Sequence, residues 1–419
     1  MEPNIDGQNA YPILTTNDNR RNFFKFVARK RKNNNMNNFT YQNTTRIHFG
    51  KGQIARLERE LMPYHKIMLL YGGGSIKQNG VYHQVMQQLK AKQVIEFGGI
   101  EANPRYETLM KAVGIARTEQ VDFLLAVGGG SVIDGTKFVA AAIPFDAGDP
   151  WTILSEYAKF TKALPLGTVL TLPATGSEMN GNAVITREEY RMKLAFGNKM
   201  LLPVFSVLDP ETMYSLPSRQ LANGVADAFV HVMEQYLTYH VNSPVQDRFA
   251  EALLLTLIEQ GPALLRNPKD YDTCANVMWA ATMALNGLIV AGVPDDWATH
   301  MIGHELTALH GVDHGQSLCI VLPGVMNQLR EQKRGKLLQF AQRVWNIKKD
   351  DEQKGIDDAI AATEGFFNSL GIATRLGEYG ISPADVDYLC SRLEARDIHW
   401  GECKNVDAEC VKKILIERL

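Results

Sequence analysis

Residues 123–142 are FLLAVGGGSVIDGTKFVAAA, an apolar run followed by three glycines and then a segment of helical composition. The run from Phe123 to Val127 has the length and character of a buried strand, and the segment after the glycines favours a helix. Glycines between them allow a ligand to approach the backbone closely, because no Cβ stands in the way. Free N–H groups and the helix dipole would then point at one place, which is typical of a phosphate site.

A similar arrangement lies earlier in the chain, where KIMLLY at Lys66–Tyr71 runs into another glycine turn. Further strands are predicted at Val94–Phe97 and Phe205–Asp209, with a helix over 106–120. Strands that alternate with helices indicate a parallel sheet covered by helices on both faces. Ligands gather at the carboxyl ends of the strands in such sheets, so two glycine turns there favour a nucleotide site.

The second turn carries Gly129, Gly130 and Ser131, with Asp134 three residues further on. It lacks the GxGxxG spacing of the usual dinucleotide fingerprint. Ser131 and Asp134 also fit a Ser-x-x-Asp capping box, which is the structural alternative to a ligand site.

The first turn contains Gly73, Gly74 and Ser75, and it bears on the choice of nucleotide. An acidic residue there would bind the ribose 2′-OH of NAD and repel a 2′-phosphate. Small residues, a hydroxyl and the nearby Lys77 favour NADP(H) instead. Ser75 could equally be a helix cap, and Lys77 a solvated side chain.

A third segment, VLTLPATGSEMNGNAV at Val169–Val184, predicts a strand that ends at Pro173 and a loop of small residues. The hydroxyls of Thr171 and Thr175 could donate hydrogen bonds to a nicotinamide or ribose. They could also be ordinary turn hydroxyls.

The chain after Pro210 is predicted to be entirely helical, which divides the protein into an α/β dinucleotide-binding domain at 39–214 and an all-helical metal and catalytic domain at 215–419. Residues 1–38 are predicted to be a disordered leader or a non-native extension, with Met36 as the natural first residue. The first 35 residues are rich in asparagine and carry seven basic and three acidic side chains, a composition that does not favour a packed core.

Four of the ten histidines lie in DWATHMIGHELTALHGVDHG at Asp296–Gly315, namely His300, His304, His310 and His314. His300 and His304 are four residues apart and share one face of a helix. Gly311 is expected to end that helix, and a turn there could fold His314 back toward the same face. Ordinary surface histidines at a helix end are the alternative.

Upstream, Asp227 and His231 are also four residues apart on a helical run whose other residues are largely apolar. A buried aspartate is uncommon unless it is paired or bound to a metal. An Asp–His hydrogen bond in a core helix is the alternative. One carboxylate with two or three imidazoles suits zinc or ferrous iron better than magnesium or calcium.

Composition narrows the class of protein. The chain has 419 residues, 45% of them hydrophobic, and a net charge of −2, which argues against nucleic acid or an anionic membrane surface as a partner. Its five cysteines form no CxxC pair, a pattern that fits a reducing cytosol. No apolar run is long enough to span a bilayer. A cytoplasmic enzyme acting on a small molecule is therefore expected.

The chain from about Asn37 to Leu419 resembles the iron-containing (group III) alcohol dehydrogenase family, and within it the bacterial NADPH-dependent aldehyde reductase and butanol dehydrogenase branch. Besides the two histidine regions, the stretches that carry the resemblance are IHFGKG at Ile47–Gly52, GGGSVIDGTK at Gly128–Lys137, TLPATGSE at Thr171–Glu178 and VLDP at Val207–Pro210.

The resemblance implies roles for individual residues. The metal ligands would be Asp227, His231, His300 and His314, and His304 would lie near the nicotinamide and the metal. Cofactor contacts would come from the second glycine turn with Asp134, from both threonines and from Lys193. The GGGS of the first turn departs from the aspartate of NAD-using members, which matches the NADPH branch.

The expected function is reversible reduction of an aldehyde to a primary alcohol with NADPH and one divalent metal, zinc or iron, in a homodimer. Phe229, Trp279 and Trp297 are candidates for the apolar wall of the substrate cleft. Two alternatives remain at this point: a non-redox lyase on the dehydroquinate-synthase-like scaffold, and a nucleotide-binding protein without catalysis.

Overall fold

A computed structural model describes residues 35–348 and 350–419. Its main sheet has the strand order β1-β8-β5-β4-β2-β3, and every neighbouring pair is parallel. These strands are β1 (Arg46–Phe49), β2 (Lys66–Tyr71), β3 (Gln93–Phe97), β4 (Phe123–Gly129), β5 (Leu166–Leu172) and β8 (Phe205–Leu208). The predicted parallel sheet is confirmed.

Helices cover both faces of this sheet, as predicted. Consecutive residues of β4 point to opposite sides: Leu124 packs in one hydrophobic cluster and Leu125 in another, and neither is exposed. The helices of this half are α1 (Leu57–Glu60), α2 (Ser75–Gln78), α3 (Val81–Gln88), α4 (Tyr106–Glu119), α5 (Gly130–Ala142) and α6 (Thr152–Ser155).

An antiparallel hairpin, β6 (Asn182–Arg187) and β7 (Met192–Gly197), lies outside the main sheet. It was not predicted from the sequence, because both strands are short and their turn is marked only by Arg191 in the left-handed region with φ 47°. Pairing of Thr186 with Lys193 fixes the register of the hairpin.

The second half is helical, in agreement with the sequence. Its helices are α7 (Ser218–Tyr236), α8 (Pro244–Arg266), α9 (Tyr271–Ala284), α10 (Ala298–His310), α11 (His314–Gln328), α12 (Arg334–Arg343), α13 (Glu352–Ser369), α14 (Pro383–Ala395) and α15 (Ala408–Ile416). One hydrophobic cluster continues from the sheet into α7 and α9, so the two halves share a core. No helix among the described residues combines the length and apolarity that a membrane crossing requires.

Two features of the helices near the histidines were not predicted. Helix α9 ends at Ala284, and positive φ angles at Gly287 and Gly292 turn the chain before α10. Helix α11 begins at His314, so this histidine belongs to the first turn of a helix and not to the turn predicted after Gly311. Gly311, in the left-handed region with φ 68°, ends α10 as predicted.

A leader was predicted for residues 1–38. Its residues 1–34 lie outside the described part of the chain. Of its last residues, Asn37 donates its backbone N–H to the carbonyl of Gly292 at 2.8 Å. A Cβ on Gly292 would lie 2.6 Å from the side chain of Met36. The segment just after the described start thus packs against the helical half.

Candidate active site

A cavity of about 1110 Å³ lies between the carboxyl edge of the sheet and the helical half. Apart from Lys77, every residue proposed from the sequence for cofactor, metal or catalysis lines it. They are Gly73, Gly74, Ser75, Gly129, Gly130, Ser131, Asp134, Thr171, Thr175, Lys193, Asp227, His231, His300, His304 and His314. The structure therefore brings together residues that lie up to 241 positions apart in the numbering, from Gly73 to His314.

The two glycine turns leave backbone open toward this cavity. A Cβ on Gly73 or Gly74 would meet no atom within 4 Å. At the second turn, Gly129 precedes α5 and no side chain caps the helix. A Cβ on Gly130 would lie 2.4 Å from Oγ1 of Thr175, so glycine is needed for Thr175 to approach the helix N-terminus. Such uncapped N–H groups suit the pyrophosphate of a dinucleotide.

Asp134 does not cap α5, so the capping-box alternative is wrong. Its Oδ1 accepts a hydrogen bond from Oγ of Ser177 at 2.6 Å, and its Oδ2 accepts one from N–H of Val184 at 2.9 Å. Burial raises the pKa of Asp134 despite nearby Lys137. The carboxyl thus ties the second glycine turn to the loop Thr175–Glu178 and to the hairpin.

Lys137 supports the same junction, and the sequence analysis assigned it no role. Its side chain is fully buried, and Nζ donates to Oγ of Ser177, Oδ1 of Asn180 and the carbonyl of Asn182. Burial lowers the pKa of Lys137 to about 8. The sequence did contain a signal for this role. The spacing GGGSxxDxxK places Asp134 and Lys137 about one turn apart on the same face of a helix.

Lys77 does not fulfil the expectation placed on its charge. Its Nζ lies 3.0 Å from Oε2 of Glu96 and over the rings of Tyr71 and Tyr82, and Lys77 is absent from the described residues that line the cavity. Ser75 lines the cavity as the first residue of α2. The first turn therefore offers small residues and a hydroxyl to a ligand, but not this ammonium.

Lys193 reaches the cavity from β7 of the hairpin. Its Nζ donates to Oδ1 of Asn103 at 2.8 Å. Burial lowers its pKa to about 8, against the attraction of Asp227 and Asp134. Lys193 thus places one cation between the cofactor turns and the histidines.

Asp227 on α7 is the centre of what we call the ligand cluster: Asp227, His231, His300 and His314. Its Oδ1 lies 3.2 Å from Nδ1 of His231 and 3.6 Å from Nε2 of both His300 and His314. One ligand atom each from Asp227, His300 and His314 falls within 4.8 Å of the others. His231 stands outside that set of three, although its ring centroid is only 4.4 Å from that of His300.

Each member of the ligand cluster has a buried side-chain atom without a hydrogen bond. Oδ1 of Asp227, Nδ1 of His231, Nε2 of His300 and Nδ1 of His314 have no partner among the described residues. Leaving several such atoms buried is costly unless a ligand satisfies them. A carboxylate and imidazoles fit a divalent zinc or iron ion, and such an ion would satisfy these atoms. The Asp–His hydrogen bond that was the alternative for α7 is not formed.

The pKa shifts agree with a cation site. Burial lowers the pKa of His231 to about 4 and takes the pKa of His314 well below its ordinary value, so both imidazoles are neutral at pH 7. Burial opposes the charge of Asp227, but the surrounding imidazoles outweigh it and its pKa is lowered. His300 has a raised pKa, because its attraction to the carboxylates of Asp227 and Glu234 outweighs its burial.

Glu234 orients His300, and the sequence analysis missed it. Its Oε1 accepts from the backbone N–H of His300 at 2.8 Å and lies 3.2 Å from Nδ1 of the same residue. Nε2 is thereby left to face Asp227. A carboxylate behind a ligand histidine is a common outer partner in metal sites. Glu234 lies on α7 seven residues after Asp227, on the same helix face, which was the signal for it.

The remaining histidines and aromatic residues divide into those that line the cavity and those that do not. His304 is buried, lines the cavity, and its ring centroid lies 5.1 Å from that of His314. His310 is outside the described cavity lining. Of the apolar candidates only Trp297 lines the cavity: Phe229 lies fully buried against Phe366 and Phe367 in the core, and Trp279 packs on Phe49 at the surface. Placing Phe229 and Trp279 near the cleft was wrong: Phe229 belongs to the core and Trp279 to the surface, and the helical pattern of apolar residues does not show which of them borders a cavity.

Comparison with known proteins identifies relatives along both halves of the chain. Residues 44–210 match the family iron-containing alcohol dehydrogenase, and residues 221–419 match the C-terminal domain of the Fe-containing alcohol dehydrogenase family. The chain is 55% identical over 382 residues to the NADPH-dependent aldehyde reductase YqhD of Escherichia coli K12, covering 90% of this chain and 99% of that protein.

A probable NADH-dependent butanol dehydrogenase of Bacillus subtilis is 41% identical over 91% of this chain and 99% of its own length. The crystal structure of Escherichia coli K-12 YqhD superposes with a TM-score of 0.90 at 53% identity, covering 92% of this chain and all of that one. With both halves matched and relatives above 30% identity along nearly their full length, the chain belongs to the iron-containing alcohol dehydrogenase family.

Proposed function

We propose that this protein reduces aldehydes to primary alcohols with NADPH and one divalent metal ion. The observation that carries the proposal is that the two glycine turns and the ligand cluster line one cavity. A hydride donor and a cation that polarises a carbonyl can thus meet in the same space. The reaction consumes an aldehyde, NADPH and a proton, and it yields a primary alcohol and NADP⁺.

The ligand cluster supports the metal part of this proposal. Asp227, His231, His300 and His314 would hold zinc or ferrous iron, since the donor set suits both. The ion would act there as a Lewis acid that stabilises negative charge on the carbonyl oxygen. Glu234 keeps His300 in its orientation, and the buried position of the cluster strengthens every electrostatic interaction within it.

The protein's own residues orient the reactants. The uncapped N-terminus of α5 would hold the pyrophosphate of NADPH, and Thr175, fixed against Gly130, would contact its nicotinamide end. NADPH would supply the hydride that the carbonyl carbon accepts, and a proton would add to the oxygen. Burial takes the pKa of His304 well below its ordinary value, which disfavours the protonated imidazole, so we infer that the proton reaches the product from water relayed past His304.

NADPH is favoured over NADH by the composition of the first glycine turn, and the relatives differ on this point. A Gly73→Asp variant tests it, because a side chain at Gly73 meets open space and adds only a carboxylate. The ratio of kcat/KM for NADPH to that for NADH should fall by about tenfold or more, since the carboxylate repels the 2′-phosphate. Gly73→Asn is the control of equal size. Equal falls in both variants would show that charge is not the reason.

The lyase alternative is not supported by the cavity. Its phosphorylated substrates would require several basic side chains, whereas Lys159 and Lys193 are the lysines among the described lining residues and no arginine accompanies them. If the protein bound a nucleotide without catalysis, the unpartnered atoms of the ligand cluster would have no explanation.

Absorbance at 340 nm with NADPH and butanal is the direct test of the function. The protein is assayed as purified, after chelation, and after restoration with zinc or ferrous iron. We expect consumption of NADPH that is lost with the chelator and recovered with one of the two metals. No consumption of NADPH or NADH with any aldehyde of a broad panel, in metal-loaded protein, would overturn the proposal.

A cytoplasmic homodimer completes the proposal. All five cysteines are free thiols, as expected for a reducing compartment. β1 is at an edge of the sheet, and Phe49 and Trp279 beside it are 38% and 41% exposed, which suits a subunit contact. Light scattering coupled to gel filtration should give twice the mass of the chain, and a monomer mass would refute the dimer.

A further inference from the structure

Trp297 is a bulky residue that lines the cavity beside the histidines, and its backbone is strained. It immediately precedes α10 and has φ 65° and ψ 4°, in the left-handed region. That region is unfavourable for L-residues with a Cβ, and a bulky side chain there is unusual. Glycine would adopt the same backbone without strain. A tryptophan at such a position therefore suggests that its side chain is needed.

Buried interactions hold this turn in place. Asp296 donates its backbone N–H to the carbonyl of Glu234, and its Oδ1 accepts from N–H of Ala298. Its Oδ2 lies 2.7 Å from Nζ of Lys333, and both side chains are 2% exposed. The residue before Trp297 is thus anchored firmly enough to impose the left-handed conformation on it.

The indole is directed at the ligand cluster. Its ring centroid lies 5.3 Å from that of His300 and 6.1 Å from that of His231, and both contacts are edge-to-face. Nε1 donates to Oδ2 of Asp295 at 2.5 Å, which fixes the ring orientation. Met301, one helical turn further, also lines the cavity, so Trp297 and Met301 form an apolar wall next to the ligand histidines.

We propose that Trp297 determines which aldehydes the site accepts, by forming the wall that limits the substrate's chain beside the metal. This inference rests on the proposed function, because it concerns the part of the aldehyde that follows the carbonyl. The carbonyl oxygen must reach the ligand cluster, and the carbon chain attached to it then lies within reach of the indole. A large, fixed aromatic ring at that point excludes long or branched chains and packs against short ones.

Trp297→Gly is the sharpest test, because it removes the wall and relieves the backbone strain together. The measured quantity is the ratio of kcat/KM for octanal to kcat/KM for propanal. We expect this ratio to rise by about tenfold or more, in keeping with the effect of a few methylene groups in a hydrophobic pocket. Trp297→Phe should shift the ratio in the same direction by less. Trp279→Phe is the matched control, since Trp279 is 41% exposed outside the cavity.

Metal content and melting temperature are measured for each variant, because Trp297 also touches two ligand histidines. A ratio within twofold of wild type in a folded, metal-loaded Trp297→Gly protein would overturn the proposal. If that variant loses its metal, Trp297→Phe decides: its ratio must rise beyond that of Trp279→Phe, or the proposal fails.

A binding experiment separates this inference from the proposed function. Propionamide and octanamide resemble the two aldehydes but accept no hydride, and calorimetry measures their Kd for NADPH-loaded protein. Removal of the wall should improve octanamide binding relative to propionamide. If wild type reduces no aldehyde but this shift occurs, the reductase proposal fails and the role of Trp297 stands. If no amide binds and no aldehyde is reduced, both are refuted.

Discussion

Two buried polar clusters lie side by side on the helical half, and they differ in how completely they are hydrogen bonded. The ligand cluster leaves buried atoms of all four of its members without partners among the described residues. The second, which we call the anchor cluster, consists of Asp296, Lys333 and Glu402. Nζ of Lys333 donates to Asp296, to Glu402 and to the carbonyl of Leu237, so all three of its protons are used.

The two clusters touch through Glu234, whose carboxylate holds His300 and whose carbonyl accepts from Asp296. Both clusters are buried and both contain a carboxylate, so burial and a negative charge do not distinguish them. They differ in hydrogen bonding: a complete network stabilises a fold, whereas an incomplete one costs free energy unless a ligand binds. We therefore propose that the ligand cluster binds an ion and that the anchor cluster stabilises the fold.

The largest expected effect is the loss of the ligand cluster's cation. His300→Ala should abolish metal binding and reduce kcat/KM for butanal by at least about 10³-fold, because the ion supplies several kcal/mol of charge stabilisation in the transition state. His310→Ala, in the same helix but outside the cavity lining, is the control and should keep both. Metal analysis and the 340 nm assay measure the outcome. Full metal content in His300→Ala would mean that the ligand cluster is not a metal site.

Removal of the cation from the anchor cluster should lower stability and leave metal binding unchanged. Lys333→Met leaves Asp296 and Glu402 buried without a cation, so the free energy of unfolding should fall by about 3–5 kcal/mol. The metal-to-protein ratio of the molecules that remain folded should not change. Denaturant unfolding followed by circular dichroism measures the first quantity.

Lys413→Met is the matched control for that experiment, because its pair with Glu409 is exposed and such pairs contribute little to stability. Similar losses of stability in both lysine variants would contradict the structural role of the anchor cluster. Loss of metal from folded Lys333→Met protein would show that the two clusters are one functional unit.

The sequence indicated part of the ligand cluster but none of the anchor cluster. Asp227 and His231, like His300 and His304, are spaced by four on apolar helices, and that spacing predicts a shared face before any fold is known. Asp296, Lys333 and Glu402 have no such local relation, since they come together only through the packing of separate segments. Glu234 lies between these cases: its helix face was predictable, but its contact with His300 depends on how α7 meets α10.

In the half with the glycine turns, too, contacts between separate segments could not be predicted. The two glycine turns were predictable because strand, turn and helix are consecutive in the chain. The hairpin that carries Lys193, and the burial of Lys137 beneath it, were not, because short amphipathic strands give little periodic signal. Lys77 shows the reverse error: proximity in sequence to the first turn suggested a ligand contact, but Glu96 on the neighbouring strand binds the ammonium instead.

Glu234→Gln gives the smallest expected effect and tests the point where the two clusters meet. Glutamine has the same length and can still accept a hydrogen bond, but it lacks the charge that favours a cation at His300. Metal affinity should weaken by about 10- to 100-fold, as for other carboxylates behind a ligand histidine. Competition with a chromogenic chelator measures it, and Glu305→Gln, on the same helix as His300 but paired with Arg396, is the control.

The stability of the metal-free protein provides a second test of the role of Glu234. Burial raises the pKa of Glu234, so a neutral glutamine removes a charge that the fold disfavours. The melting temperature of the metal-free variant should therefore be no lower than that of metal-free wild type. A lower melting temperature, with unchanged metal affinity, would assign Glu234 to the anchor cluster. The hydrogen bond from His300 to Glu234 would then stabilise the fold and would not serve metal binding.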